Sequence, residues 1–110
     1  MKKIIPLKIQ EEINRRIDNF NRKFFTGKGE SLYYFAKFKG KYLYLNRLEF
    51  GNISPVARLK YKGKINNWDF AIFKWSSETY DPDEFFFPGV QHVDGTVEGA
   101  MKAGIDAYPV

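Results

Sequence analysis

The spacing of apolar residues changes its period twice along this chain. Over Leu7–Phe25 they recur every three or four residues, which predicts a helix with one buried face. Over Leu32–Trp75 apolar and polar residues mostly alternate, which predicts strands with one buried face. After Asp94 the helical spacing returns, and a second helix is expected over roughly residues 95–107. The buried face of the first helix is expected to consist of Ile13, Ile17, Phe20 and Phe24.

Turn-forming residues divide the alternating stretch into four predicted strands. Their bounds are Leu32–Phe38, Lys41–Leu48, Val56–Lys62 and Trp68–Trp75. The connections between them are expected at Gly40, Gly51–Pro55 and Gly63–Asn67. The fourth run is apolar on both parities, which indicates a strand that is covered on both faces. The strand side chains expected in the core are Tyr34, Leu43, Leu45, Leu59 and Phe70.

These elements predict an α+β fold, in which a four-stranded antiparallel meander sheet is flanked by an N-terminal and a C-terminal helix (α-β-β-β-β-α). One domain over residues 1–110 is expected. Thr26–Ser31 is interpreted as a plain connector, and residues 76–93 as a long connection that packs onto the domain. Asp94 is expected to cap the second helix, whose apolar face would comprise Val97, Met101, Ile105 and Tyr108.

The second helix is also rich in small residues. Glycine weakens a helix by up to about 1 kcal/mol each, so these residues predict a close approach to another element. The small residues are Gly99, Ala100, Ala103, Gly104 and Ala107.

The composition excludes several classes of protein. The chain has no cysteine, so neither a disulfide nor a thiolate metal site can form. The apolar pieces of residues 1–10 are too short and too interrupted for a signal peptide, and no run approaches the length of a membrane span. We therefore expect a cytoplasmic protein with no membrane partner.

Few residues are suited to catalysis or metal binding. His92 is the only histidine, and nothing local places Ser76, Ser77 or Thr79 beside it. Asp94 could orient His92 in extended chain, but a loop histidine next to a helix cap explains this spacing as well. The acidic residues before His92 lack the glycine and the final glutamate of an EF-hand loop. We expect a non-enzymatic protein with no catalytic residue, no cofactor and no metal.

Charge is distributed unevenly along the chain. Residues 1–75 hold seventeen Lys and Arg against six Asp and Glu, whereas residues 76–110 hold one against seven. If both helices cover one face of the sheet, the other face combines aromatic and basic side chains. These are Tyr33, Phe35, Lys37, Tyr42, Tyr44, Arg58, Lys60 and Lys62. Exposed rings stack on bases and lysines follow phosphates, so this face is predicted to bind single-stranded DNA or RNA.

The order of four meander strands followed by a helix resembles the PUR and Whirly types of single-strand-binding domain. The resemblance lies in the order of elements alone, because no sequence motif is shared and the N-terminal helix is additional. It implies a sheet face that accepts a single strand.

Two other functions fit the same residues. The aromatic face would also suit the buried interface of a homodimer, because aromatic residues are enriched at protein interfaces. A small-ligand carrier would instead need an aromatic pocket between sheet and helices. The Phe85–Phe87 run needs an apolar surface, and the aromatic–basic face offers one with lysines for the neighbouring carboxylates. We expect the acidic segment, with Asp81, Asp83 and Glu84, to dock there and compete with nucleic acid.

Overall fold

The computed structural model describes residues 4–25 and 31–110 of the chain. Helix α1 leads into a sheet of five antiparallel strands, β1 to β5, which lie side by side in chain order. A short 3-10 helix at Val90–His92 precedes the second helix, α2. The elements span α1 Leu7–Phe24, β1 Leu32–Lys39, β2 Tyr42–Glu49, β3 Asn52–Tyr61, β4 Trp68–Lys74, β5 Thr79–Asp81 and α2 Val97–Ala107.

The predicted α+β class with an antiparallel meander is confirmed, but the sheet has five strands rather than four. The fifth strand lies inside the predicted 76–93 connection, where Thr79–Asp81 pairs with the end of β4. Three residues are too few to show an alternating pattern, which is why periodicity does not reveal this strand. The predicted connector at residues 26–30 lies outside the described residues.

Strand β3 begins at Asn52, four residues earlier than predicted, so the prediction of a loop over Gly51–Pro55 is wrong. Phe50 and Gly51 have φ of 49° and 94° and form a two-residue hairpin turn, which lets pairing resume at once. Pro55 is tolerated because a bulge lies there: the register moves from Leu45 opposite Ala57 to Asn46 opposite Pro55.

Both helices lie on one side of the sheet, and the core lies between the helices and the sheet. Ile13, Ile17 and Phe20 of α1 are buried there, as predicted, and so are all five of the predicted strand residues. The prediction that Phe24 lies on the buried face of α1 is wrong, because its side chain is 44% exposed. The helix ends at Phe24, so Phe25 leaves the helical path and turns its ring inward against Tyr34.

Helix α2 begins two residues later than predicted, and its N-cap is Thr96 rather than Asp94. The Thr96 hydroxyl accepts a hydrogen bond from the Gly99 N–H at 3.0 Å. Asp94 supports this cap from outside the helix, because its carboxylate accepts hydrogen bonds from the backbone N–H and the hydroxyl of Thr96. The predicted close approach is confirmed at Gly104, where an added Cβ would lie 2.5 Å from the Tyr34 hydroxyl.

A buried arginine ties β2 to the C-terminal end of α2. Arg47 is 1% exposed and is the one buried charged side chain among the described residues. Its guanidinium donates to the Glu49 carboxylate, to the Tyr34 hydroxyl and to the carbonyls of Gly104 and Tyr108. A cation at this end of the helix also complements the helix dipole. Alternation places Arg47 on the same, inward side of β2 as Leu43 and Leu45, so the sequence pattern alone predicts its burial.

None of the helices in the described part of the chain is long and apolar enough to cross a membrane.

Candidate nucleic-acid interface

The outward face is the side of the sheet that turns away from α1 and α2. All eight residues of the predicted binding face lie on it, because they alternate with the inward residues Tyr34, Leu43 and Leu59. Tyr33, Phe35 and Lys37 come from β1, Tyr42 and Tyr44 from β2, and Arg58 and Lys60 from β3, with Lys62 just beyond it.

Strand register places aromatic and basic residues next to each other across this face. Lys37, Tyr44 and Arg58 are direct cross-strand neighbours in one row. Tyr42 and Lys60 are neighbours in the next row, beside Lys39. Cross-strand neighbours have Cβ atoms about 4.5–5.5 Å apart, so each ring of β2 has a cation within reach on both sides.

The tyrosines of β2 belong to a continuous cluster of rings that reaches the far edge of the sheet. The ring centroids of Tyr42 and Tyr44 are 6.2 Å apart, and those of Tyr44 and Tyr80 are 5.5 Å apart. Phe73 contacts both Tyr80 and Trp75, with centroids 5.1 Å apart in each case. We call these five residues the aromatic cluster.

Two rings of the aromatic cluster, Tyr80 and Trp75, are not among the residues predicted for the binding face. Tyr80 is carried by the unpredicted strand β5, and Trp75 follows β4, whose two faces the sequence could not distinguish. The burial of Ala71 and Phe73 confirms that β4 is covered on both sides, since both lie on the outward parity. Trp75 itself is 51% exposed, and it also lies beside Ala107 and Tyr108 at the end of α2.

Arg58 is held within the aromatic cluster. Its guanidinium carbon lies 4.6 Å from the Tyr42 ring centroid and 5.7 Å from that of Tyr80. Burial, and after it the neighbouring Tyr44, raises the pKa of Tyr80 above its usual value, against the opposing influence of Arg58. Tyr80 therefore stays neutral at physiological pH, and Arg58 fixes the orientation of two rings by cation–π contact.

The lysines of the outward face differ in how much charge they offer. Lys62 forms an ion pair with Asp69, with 3.4 Å between Nζ and Oδ1. Lys37 and Lys60 are exposed and have no ion pair with any residue that the structure describes. These two lysines flank the aromatic cluster and can offer their charge to a bound anion, as can the exposed Lys39 beside Tyr42.

The other end of the outward face is apolar rather than basic. Tyr33 is paired with Leu48, and Leu48 with Ile53, in one cross-strand row. Ile53 is 63% exposed, and Phe50 at the hairpin turn is 66% exposed. We call Tyr33, Leu48, Phe50 and Ile53 the apolar corner. Phe35 lies beside it and contacts Tyr33, with centroids 6.1 Å apart, so these two aromatics lie apart from the cluster.

The acidic segment does not dock on the outward face, so this prediction is wrong. Lys74 holds the segment through ion pairs with Asp81 at 3.6 Å and Glu84 at 3.2 Å. Phe87 stacks on Phe70, an inward residue, with centroids 5.8 Å apart. Lys74 shares the inward parity of Phe70, and this nearby cation therefore draws the carboxylates to the helical side.

The residues considered for catalysis or a metal do not form a site. His92 pairs with Asp106 of α2, with 3.1 Å between Nε2 and Oδ2, and not with Asp94. The carboxylates of Asp81 and Glu84 are occupied by turn hydrogen bonds and by Lys74, and the backbone N–H of Asp83 donates to Asp81. Within residues 4–25 and 31–110, no three side chains of His, Asp or Glu converge as metal ligands would.

Comparison with protein-family models, curated proteins and solved structures finds no match to this chain. The architectural resemblance to PUR and Whirly domains therefore gains no support from these comparisons.

Proposed function

We propose that this protein binds single-stranded nucleic acid on its outward face, with bases on the aromatic cluster and phosphates on the flanking lysines. The observation that carries the proposal is the cluster itself. Rings in contact extend from Tyr42 on β2 to Trp75 beyond β4, and Lys37 and Lys60 lie beside them. A ring surface with adjacent cations matches how single-strand platforms accept bases of any sequence.

The free energy of base stacking on such a platform is large enough to give measurable affinity for a single strand. Each base stacked on an exposed ring contributes about 1–3 kcal/mol. Two or three stacked bases, together with phosphate contacts, would give micromolar binding at low salt. The rings also lose little freedom on binding, because Arg58 and the neighbouring rings already hold Tyr42, Tyr44 and Tyr80 in place.

Fluorescence anisotropy with a labelled single-stranded oligonucleotide tests the proposal. Tyr44→Ala should weaken binding by about 1–3 kcal/mol, whereas Tyr44→Phe, which keeps the ring, should bind nearly as the wild type. Lys60→Ala should also weaken binding, and its matched control is Lys102→Ala, an exposed lysine on α2. Equal affinity of Tyr44→Ala and Tyr44→Phe would show that the ring does not stack on a base.

A homodimer is the second candidate, and the apolar corner is the observation that favours it. Phe50 is both exposed and held at φ 49°, a backbone region that bulky residues rarely adopt. Ile53 lies nearby and is equally uncharged, so this corner would meet a copy of itself without repulsion. Ile53→Ser should abolish a dimer of this kind, and sedimentation equilibrium would record the loss.

A further inference from the structure

The most exposed aromatic residue of the described chain is Phe86, at 98% exposure, and its neighbour Phe85 is 54% exposed. Phe87 alone of the three consecutive phenylalanines packs onto the core cluster. Two exposed aromatic side chains in sequence are a liability for a protein that remains alone, and such surface features mark interaction sites. We call Phe85 and Phe86, with Asp83 and Glu84, the acidic aromatic tip.

The tip is held in a fixed conformation by its own hydrogen bonds. The Asp81 carboxylate accepts from the Asp83 N–H at 2.9 Å, and the Glu84 carboxylate accepts from the Phe86 N–H at 2.7 Å. The Phe86 N–H, and after it Lys74, lowers the pKa of Glu84, so this carboxylate remains charged. Because the loop is already ordered, inserting Phe86 into a partner costs little conformational entropy.

The chemistry of the tip defines its partner. The segment from Asp81 to Phe86 carries three carboxylates, and Lys74 offsets one charge. A matching surface therefore needs an apolar recess for a phenyl ring and positive charge around its rim.

Such a recess exists on the outward face of this same protein. A cavity of about 330 Å³ lies at the β1–β2 hairpin, and its lining includes Lys39, Gly40, Lys41, Tyr42 and Tyr44. The tyrosine rings and lysine stems can provide apolar walls, and Lys39 and Lys41 bring positive charge to the cavity. We call it the hairpin cavity. The tip lies on the helical side of the sheet, so it cannot enter the hairpin cavity of its own chain in this structure.

We propose that the acidic aromatic tip of one molecule inserts Phe86 into the hairpin cavity of a second copy of this chain. The contact joins two different surfaces, so it is heterologous and leaves a free tip and a free cavity at the two ends. It also covers Tyr42 and Tyr44, so self-association and binding of a single strand exclude each other. The self-association does not depend on the proposed nucleic-acid function and is tested without any nucleic acid.

Sedimentation equilibrium in low salt, on protein freed of nucleic acid in high salt, tests the contact. The wild-type mass should rise with concentration and fall back towards one chain when salt is added. Phe86→Ser should weaken association about thirtyfold, as for a buried aromatic anchor. The charge-reversed variant Lys39→Glu/Lys41→Glu should weaken it similarly. The matched control is Leu7→Ser, which removes another exposed apolar residue and should associate as the wild type.

A mixture of the two weakened variants gives the sharpest result. Phe86→Ser keeps an intact cavity and Lys39→Glu/Lys41→Glu keeps an intact tip, so the mixture should form a one-to-one pair and stop at two chains. A wild type that stays at the mass of one chain up to millimolar concentration overturns the proposal. So does normal association of Phe86→Ser, or a mixture that does not pair. Loss of association in Ile53→Ser alone would assign the interface to the apolar corner instead.

Discussion

Replacing Gly104 by alanine should destabilise this protein, although the same change stabilises most helices. Gly104 lies in the last turn of α2, where alanine is favoured over glycine by about 1 kcal/mol. However, its new Cβ would lie 2.5 Å from the Tyr34 hydroxyl oxygen and 2.6 Å from Val56 Cγ1. Carbon atoms in contact are normally about 3.5–4.0 Å apart, so both neighbours would have to move by about 1 Å.

Neither neighbour of Gly104 can move easily. Tyr34 is 1% exposed, donates to the Met101 carbonyl at 2.7 Å and accepts from Arg47, and Val56 is fully buried beside the bulge of β3. Overpacking of a core of this kind costs about 1–3 kcal/mol. After subtraction of the gain in helix propensity, Gly104→Ala should lower the free energy of unfolding by up to about 2 kcal/mol.

Urea denaturation followed by circular dichroism measures this change, and Lys102→Ala on the exposed side of α2 is the control that should change stability little. In a double-mutant cycle, Tyr34→Phe should cost less in the Gly104→Ala background than alone, because it removes one of the two clashing atoms. A Gly104→Ala protein that is more stable than the wild type by about 1 kcal/mol, as helix propensity alone predicts, would refute the close approach of α2 to the sheet.

Three further changes probe other parts of the fold. Ile17→Ala should lower the unfolding free energy by about 2–5 kcal/mol, because Ile17 is 3% exposed, and an unchanged melting temperature would contradict the register of α1. Thr96→Ala should cost about 1 kcal/mol through loss of the helix cap, and Thr96→Ser should restore it. Burial raises the pKa of Tyr34 to about 12, so the folded state keeps a proton that the unfolded state loses near pH 10. Stability should therefore fall between about pH 10 and pH 12, and Tyr34→Phe should remove that part of the fall in unfolding experiments over this range.

The elements that the sequence predicts well are those in which burial repeats with a regular period. Strands β1 and β2, the later part of β3, and Ile13, Ile17 and Phe20 of α1 follow from alternation or helical spacing and are found as expected. The errors lie where a period ends. Phe24 and Phe25 exchange roles because the helix stops between them, and β5 is too short to have a period.

In the candidate site too, the sequence pattern predicts local features but not contacts between distant residues. Alternation correctly places the tyrosines and lysines of β1 to β3 on one face, since this needs only local geometry. It cannot show that Tyr80 lies beside Tyr44, because that contact depends on a strand thirty-six residues away along the chain. Nor does net charge reveal that Lys74 holds the acidic segment on the helical side, because an ion pair depends on tertiary position.

The salt dependence of single-strand affinity tests the central proposal most directly. Anisotropy titrations of the wild type at several salt concentrations should give a log–log slope near −0.7 for each phosphate contacted. Lys60→Ala should reduce that slope by about one contact, whereas Tyr44→Ala should weaken affinity and leave the slope unchanged. The absence of binding at low salt, or binding that does not change with salt, would contradict the assignment of the outward face to nucleic acid.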